Sequence, residues 1–322
     1  MQNRLVVSHS PHVAGGDSIR KIMLHVIIAL LPALVAGCIF FGFRAFAVVA
    51  TCVVSSVVFE ALWQKIMKKP VTVSDLSAIV TGMLLAFNLP VGIPLWMAVI
   101  GSFFAIIVVK QFFGGLGHNF MNPALGARAF LLASWALAMT TWQAPMGSQV
   151  DAVSFATPLA AYANGAEALP SYMDLFVGRI GGCIGETSAL AILIGAAYLL
   201  ITGVIRLRVP VIFIGTVALG TWIFGGKDGL FTGDALYQIL SGGLILGAFF
   251  MATDYTTTPV TPVGQIIFAV GCGVITVLIR IWGGYPEGVS YSILLMNIAT
   301  PLIDKISAPR RYGVSRLKKE AV

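Results

Sequence analysis

Behind four closely spaced glycines the chain sets a carboxylate and two hydroxyls side by side. Gly178, Gly181, Gly182 and Gly185 precede Glu186, Thr187 and Ser188, and an apolar run follows in the stretch RIGGCIGETSALAIL. Two kinds of chemistry suit this order. Hydroxyls and carboxylates at a helix start accept from its unpaired amides and cap it. The same amides, with about half a positive charge from the helix dipole, also hold phosphate, and glycines let a bulky group approach the backbone. The residues alone leave both readings open.

Two further groups carry polar side chains in apolar surroundings. The first is GGLGHNFMNPALGARAF, residues 114–130, with Asn119, Asn122 and Arg128. These residues could line an ion path, because polar groups at membrane depth are costly without a partner. They could equally mark a helix start, with Pro123 near the first turn and Arg128 reaching for the interface. His118 reads as a loop residue, having no partner at metal-ligand spacing. The second is MATDYTTTPVTP, residues 251–262, where Asp254 and a row of hydroxyls could offer hard oxygen ligands to a small cation or form a polar turn. Asn88, Asp75, Asn297 and Asp304 admit the same pair of readings.

The elements that must position these residues are membrane helices. Of 322 residues, 58% are hydrophobic and 10% charged, against roughly 25% charged in soluble domains, and the mean hydropathy is +0.92. The net charge of +7 falls in short clusters beside apolar segments, which suits membrane orientation and argues against a nucleic-acid surface. Cys38, Cys52, Cys183 and Cys272 form no CxxC pair, so neither a disulfide framework nor a zinc or iron–sulfur site is indicated. LVAGC, residues 34–38, resembles a lipoprotein cleavage box, but the following residues remain apolar, so it reads as part of the first span.

At about 20 apolar residues per crossing, ten segments qualify: 22–41, 45–63, 76–89, 95–113, 124–142, 186–205, 209–224, 235–252, 263–282 and 289–306. The reading is an all-α, multi-pass membrane protein of one domain. Residues 1–142 hold five spans, 143–178 an outer loop without Lys or Arg, 179–306 five more spans, and 307–322 a basic tail. Both termini are expected in the cytoplasm. That choice puts Arg4, Arg20, Lys21, Lys65, Lys68, Lys69, Lys110, Arg206, Arg208 and the tail inside, leaving Arg44, Arg179, Lys227 and Arg280 outside. VTGMLLAFNLP in the third segment and LSGGLILGAFFMATDYTTTP in the eighth share a hydroxyl-Gly start, an Ala-Phe end and a terminal Pro. Five spans per half would place two related halves in opposite orientations, an arrangement that puts broken helices and a binding site near the midplane.

SHSPH, GGLGHNFMNPALGARAF, GETS and MATDYTTTPVT, in this order along the whole chain, resemble the RnfD and NqrB family of membrane subunits. NqrB subunits have a longer N-terminal extension, so the likeness is nearer to RnfD. The resemblance implies a fold distantly like the urea transporters and a place in a bacterial inner-membrane complex. That complex couples electron transfer between ferredoxin and NAD to movement of Na⁺ or H⁺. It further implies covalent FMN on Thr187 through a phosphoester, installed by an ApbE-type flavin transferase, with Gly185, Glu186 and Ser188 as neighbours, and a noncovalent riboflavin. Asn119, Asn122 and Arg128 could serve that second flavin, and Asn122, Arg128 and Asp254 the ion path.

The partners so implied are RnfA, RnfB, RnfC, RnfE and RnfG, together with membrane lipid. The chain lacks a Rossmann glycine pattern and iron–sulfur cysteines, so NAD and ferredoxin fall to those partners and the chain has no complete catalytic cycle. Glu186 departs from the Ser/Thr-Gly-Ala-Thr attachment pattern of RnfG, and its carboxylate would repel a phosphate unless it turned away to cap its own helix. Two other readings stand beside this one: a quinone-reducing NqrB-type protein, and a stand-alone channel or transporter for a small solute.

Overall fold

The computed structural model describes residues 18–146, 156–166, 169–226, 229–284 and 287–308. Arg4, the SHSPH motif, Lys227 and the basic tail beyond residue 308 lie outside the described residues. Helices make up most of what is described, and no strand occurs among those residues.

Among the described residues three helices are long and apolar enough to cross a membrane: α1 (Ile19–Phe41), α2 (Phe43–Ile66) and α13 (Pro262–Trp282). Ser18 caps α1 through its hydroxyl, which accepts from the Lys21 amide at 3.2 Å. Gly42, at φ 70°, supplies the left-handed residue that ends α1 and starts α2. Thr261 caps α13 and Pro262 occupies its first turn. Apolar side chains such as Ile39, Val54, Val58, Leu219 and Val263 face outward from the bundle, as a hydrocarbon solvent allows.

Other segments are shorter than the sequence suggests, and each has a local cause. Helix α3 (Ser77–Phe87) stops because Asn88 folds its amide back onto the Leu84 carbonyl at 2.6 Å. At about 1.5 Å per residue its 11 residues span about 16 Å, roughly half of a ~30 Å hydrocarbon layer. Helix α4 (Leu95–Phe103) widens into a π-helical stretch, Phe104–Gln111. Helix α5 (Pro123–Ser134) breaks at Trp135 before the short α6 (Ala136–Thr140). Two short helices follow, α7 (Pro158–Asn164) and α8 (Tyr172–Val177), and then α9 (Ala189–Ile201) and α10 (Arg208–Phe224).

The segment expected at 235–252 is broken. It runs as α11 (Ala235–Leu240), a turn, α12 (Leu244–Leu246) and a second π stretch, Gly247–Met251. Arg280 holds the break. Its guanidinium, expected at the outer end, is turned inward and donates to the Gln238 carbonyl at 2.6 Å and the Ser241 carbonyl at 3.3 Å, so it satisfies carbonyls that α11 leaves unpaired. Helix α14 (Val289–Ser307) closes the described chain. In the core α2 packs on α3 and α4, α1 on α9, and α13 on both α10 and α14.

Candidate functional site

The segment ahead of α9 is not a free helix mouth. Helix α9 begins at Ala189, and its cap is Ser188, whose hydroxyl accepts from the Ala191 amide at 3.3 Å. Residues 183–185 instead run back along the chain that leaves α3. The Ile184 amide donates to the Leu89 carbonyl at 3.2 Å, and the Gly185 amide to the Phe87 carbonyl at 2.9 Å. Gly185 is obligatory at this crossing, because a Cβ there would lie 2.4 Å from the Phe87 Cβ. Thr187 is 1% exposed, and its hydroxyl donates to the Ile184 carbonyl at 3.3 Å.

Glu186 does not cap its helix. Its carboxylate turns into the bundle and meets Arg128 of α5, with Nη1 at 3.3 Å from Oε1. The same guanidinium donates to Asn88 Oδ1 at 2.9 Å, to Ser290 Oγ at 3.0 Å and, through Nη2, to Glu287. Glu287 also accepts the Gly243 amide at 2.8 Å. Arg128 therefore does not reach for an interface; at 7% exposure it is the buried centre of five chain segments. Burial works against the charge of Glu287, but the Arg128 guanidinium and the Gly243 amide outweigh it and hold the carboxyl down, at about 2.

This cluster forms the floor of a cavity. Arg128, Glu186, Glu287 and Ser290 give its polar base, and Leu132, Met139 and Trp142 lie among its apolar walls. Apolar walls with a few convergent polar groups are the usual make-up of a small-molecule site.

A second cavity opens at the opposite end, where the start of α1 meets the end of α9. Arg20, Lys21, Lys65, Lys68, Lys69 and Arg206 belong to the helix ends on this side, called here the basic end. Phe249 and Phe250 of the second π stretch line the cavity, as do Lys110, Asn119, Asn122 and Asp254.

Asn122 caps α5, its carbonyl oxygen accepting from the Ala124 and Leu125 amides at 3.1 and 3.4 Å, while its amide reaches the Met251 carbonyl at 3.5 Å. Asn119 donates to Thr256 Oγ1 at 3.1 Å. The carboxylate of Asp254 is satisfied within its own turn, by the hydroxyls of Thr256 at 2.9 Å and Thr257 at 3.2 Å. Burial pushes its carboxyl up, against those hydrogen bonds. His118 lies exposed in a glycine turn, and no group of three His, Cys, Asp or Glu suited to a metal occurs among the described residues.

Of the residues singled out from sequence, Glu186 and Arg128 meet at the first cavity, Asn119, Asn122 and Asp254 line the second, and Thr187 is buried beside the first without lining it. Three participants escaped sequence reasoning. Glu287 stands in a short polar stretch before α14 and has no local signature. Glu60 and Lys110, paired at 2.9 Å and almost fully buried, did carry one: Glu60 is a lone carboxylate inside an apolar span, which marks a functional candidate by default.

Residues 6–313 match the family model described as the NQR2, RnfD, RnfE family. The chain is 56% identical over 321 residues to the D subunit of the Na(+)-translocating ferredoxin:NAD(+) oxidoreductase complex of Acetobacterium woodii, covering 98% of each chain. It is 48% identical over 324 residues to the D subunit of the proton-translocating ferredoxin:NAD(+) oxidoreductase complex of Clostridium ljungdahlii, again covering 98% of each. With the D subunit of the ion-translocating oxidoreductase complex of Stutzerimonas stutzeri it shares 38% identity over 328 residues, 92% of this chain and 93% of the relative.

Proposed function

We propose a function from one premise: the chain belongs to the NQR2, RnfD, RnfE family. It acts as the D subunit of an ion-translocating complex that passes electrons between ferredoxin and NAD, in the bacterial cytoplasmic membrane, with both termini and the basic end inside. The observation that carries this reading is 56% identity over 98% of both chains to a relative named as that subunit. Its ten apolar segments form two inverted five-span halves, distantly like the urea transporters, and it assembles with RnfA, RnfB, RnfC, RnfE, RnfG and membrane lipid. The relatives from Acetobacterium woodii and Clostridium ljungdahlii are named for different ions, Na⁺ and the proton. Dependence of electron transfer on Na⁺ in the purified complex separates the two.

Within this subunit Thr187 carries FMN through a phosphoester made by an ApbE-type transferase, and a noncovalent riboflavin occupies the basic-end cavity. The cavity linings suit both groups in kind, while Thr187 itself is buried beside the first cavity. The cavity floored by Arg128 has apolar walls and a cation, and Glu186, next to Thr187 in the chain, lies on its lining. The basic-end cavity offers two phenylalanine rings and the side-chain amides of Asn119 and Asn122. When bound, a flavin supplies one- and two-electron redox chemistry. The protein's own part is positional: Arg128 fixes the floor and compensates negative charge, while the apolar walls exclude water. Because the Thr187 hydroxyl faces the Ile184 carbonyl, attachment takes place on a chain whose 183–188 segment has turned outward.

The test is a denaturing gel viewed under ultraviolet light after coexpression with the transferase. A fluorescent wild-type band and a dark Thr187→Ala band are expected. A dark wild-type band, or a fluorescent T187A band, overturns the anchor.

A further inference from the structure

We propose that Asp75, Ser77 and Lys110 form a proton-conducting chain joining the surface at the basic end to the cavity there, with Glu60 as its fixed counter-charge. The ammonium of Lys110 has three protons, and each is directed. Two go to Glu60 of α2, at 2.9 and 3.0 Å, and the third to Ser77 Oγ, the first residue of α3, at 2.7 Å. Ser77 in turn donates its hydroxyl to Asp75 Oδ1 at 2.6 Å. Ser77 and Lys110 both line the cavity, whereas Asp75 is only half-buried. An unbroken file of hydrogen bonds thus leads from a surface carboxylate to a cationic donor in a cavity wall.

A clamp between α2 and the π stretch would explain the Lys110–Glu60 pair alone. It would not require the branch to Ser77, whose own amide and hydroxyl both donate to Asp75 Oδ1, at 2.8 and 2.6 Å, where α3 starts. Buried ion pairs are also a poor route to stability, since apolar residues of similar volume often do as well, whereas intramembrane ionisable residues mark proton and ion pathways. The remaining groups around Glu60 are neutral amides that fix its orientation: Gln111 donates at 2.8 Å and Gln64 at 3.4 Å, and Gln64 is anchored on Thr72. Lys110 sits in a π-helical stretch, a distortion found often at functional sites.

The transfer balances once two donors reorient. Lys110 turns one of its protons from Glu60 to a base in the cavity, the Ser77 hydroxyl turns from Asp75 and gives its proton to the resulting amine, and Asp75, protonated from the aqueous side, returns a proton to Ser77. The chain recovers its charge and one proton has moved inward. The occupant it serves is any group that takes up a proton, so the relay stands apart from whether Thr187 carries a flavin.

The experiment compares Ser77→Ala, Ser77→Thr and Asp75→Asn in the assembled complex turning over ferredoxin and NAD⁺. S77A and D75N are expected to slow turnover on the order of 100-fold, the lower end of what a positioned proton donor contributes, with a raised solvent deuterium isotope effect. S77T is expected to restore it, and formate or azide, as small diffusible acids, to rescue D75N. Should S77A fail to assemble, D75N at the half-buried end carries the same test. Unchanged turnover and isotope effect overturn the relay, as do equal losses in S77A and S77T without rescue of D75N. A wild-type complex inactive with ferredoxin and NAD⁺ would overturn the function proposed above instead. The relay is then read on the purified chain by deuterium exchange of the ¹⁵N-labelled Lys110 ammonium: slower exchange in D75N supports it, and unchanged exchange overturns it.

Discussion

Arg128 of α5 and Glu186 of the segment ahead of α9, far apart in sequence, meet in the interior with Nη1 3.3 Å from Oε1. This contact ties the segment that carries Thr187 to α5. The same guanidinium holds Glu287, Asn88 and Ser290, so its removal strands the buried carboxylate of Glu186 and the part-buried one of Glu287. Arg128→Ala is therefore expected to destabilise the protein by about 3–5 kcal/mol, the cost of breaking a buried pair from one side. Arg128→Lys recovers only part of this, because an ammonium cannot reproduce the planar fork that reaches several acceptors. Thermal melting of the detergent-solubilised chain checks both, and an R128K melting point equal to wild type would refute the fork argument.

Gly185 offers a steric test of the same docking. A methyl group there collides with Phe87 at 2.4 Å, and both residues are buried. Gly185→Ala is expected to cost about 1–3 kcal/mol through overpacking, and the loss from Phe87→Gly, which removes the Cβ and Cγ that the new methyl meets, to be smaller in that background than in the wild type. Purely additive losses in the double variant, measured in the same melting assay, would show that the two sites do not press on each other.

The apolar patterning located the helical segments, and α1, α2 and α13 follow it closely. Ser188 was among the residues expected near the start of α9, and the readings of Asn122 as part of a helix start and of the Asp254 stretch as a polar turn describe their hydrogen bonds. What patterning missed is where helices stop short. Asn88 ends α3 through a side-chain hydrogen bond, and Arg280 sustains the break after α11 from another helix; neither act is encoded in local hydropathy. The partners of Arg128 were hidden for a related reason. Glu186 and Glu287 are brought to it by tertiary crossing, which no spacing along the chain displays.

Glu287 should make stability depend on acid. Its carboxyl is lowered in the folded chain to about 2, from an ordinary 4.5. A group lowered on folding contributes stability that is complete above its unfolded value and is lost as pH falls toward its folded value. The melting temperature is thus expected to fall between about pH 4.5 and 2, and Glu287→Gln to flatten that part of the profile. An E287Q profile as steep as wild type would place the acid sensitivity elsewhere.

Asn122 ties α5 to the second π stretch through one side chain. Its oxygen caps α5, and its amide holds the Met251 carbonyl at the end of that stretch. Asn122→Ala loses both, whereas Asn122→Asp keeps the cap and exchanges a donor for a charge facing that carbonyl. A lost cap costs about 1 kcal/mol, and a buried carbonyl left without its donor adds about 1–3 kcal/mol. The alanine variant is therefore expected to melt lower by more than a cap alone explains. The aspartate variant should be no better, because a carboxylate cannot donate to Met251 and repels its carbonyl. An N122D chain as stable as wild type would show that the cap alone matters, and that the contact at 3.5 Å does not couple α5 to the π stretch.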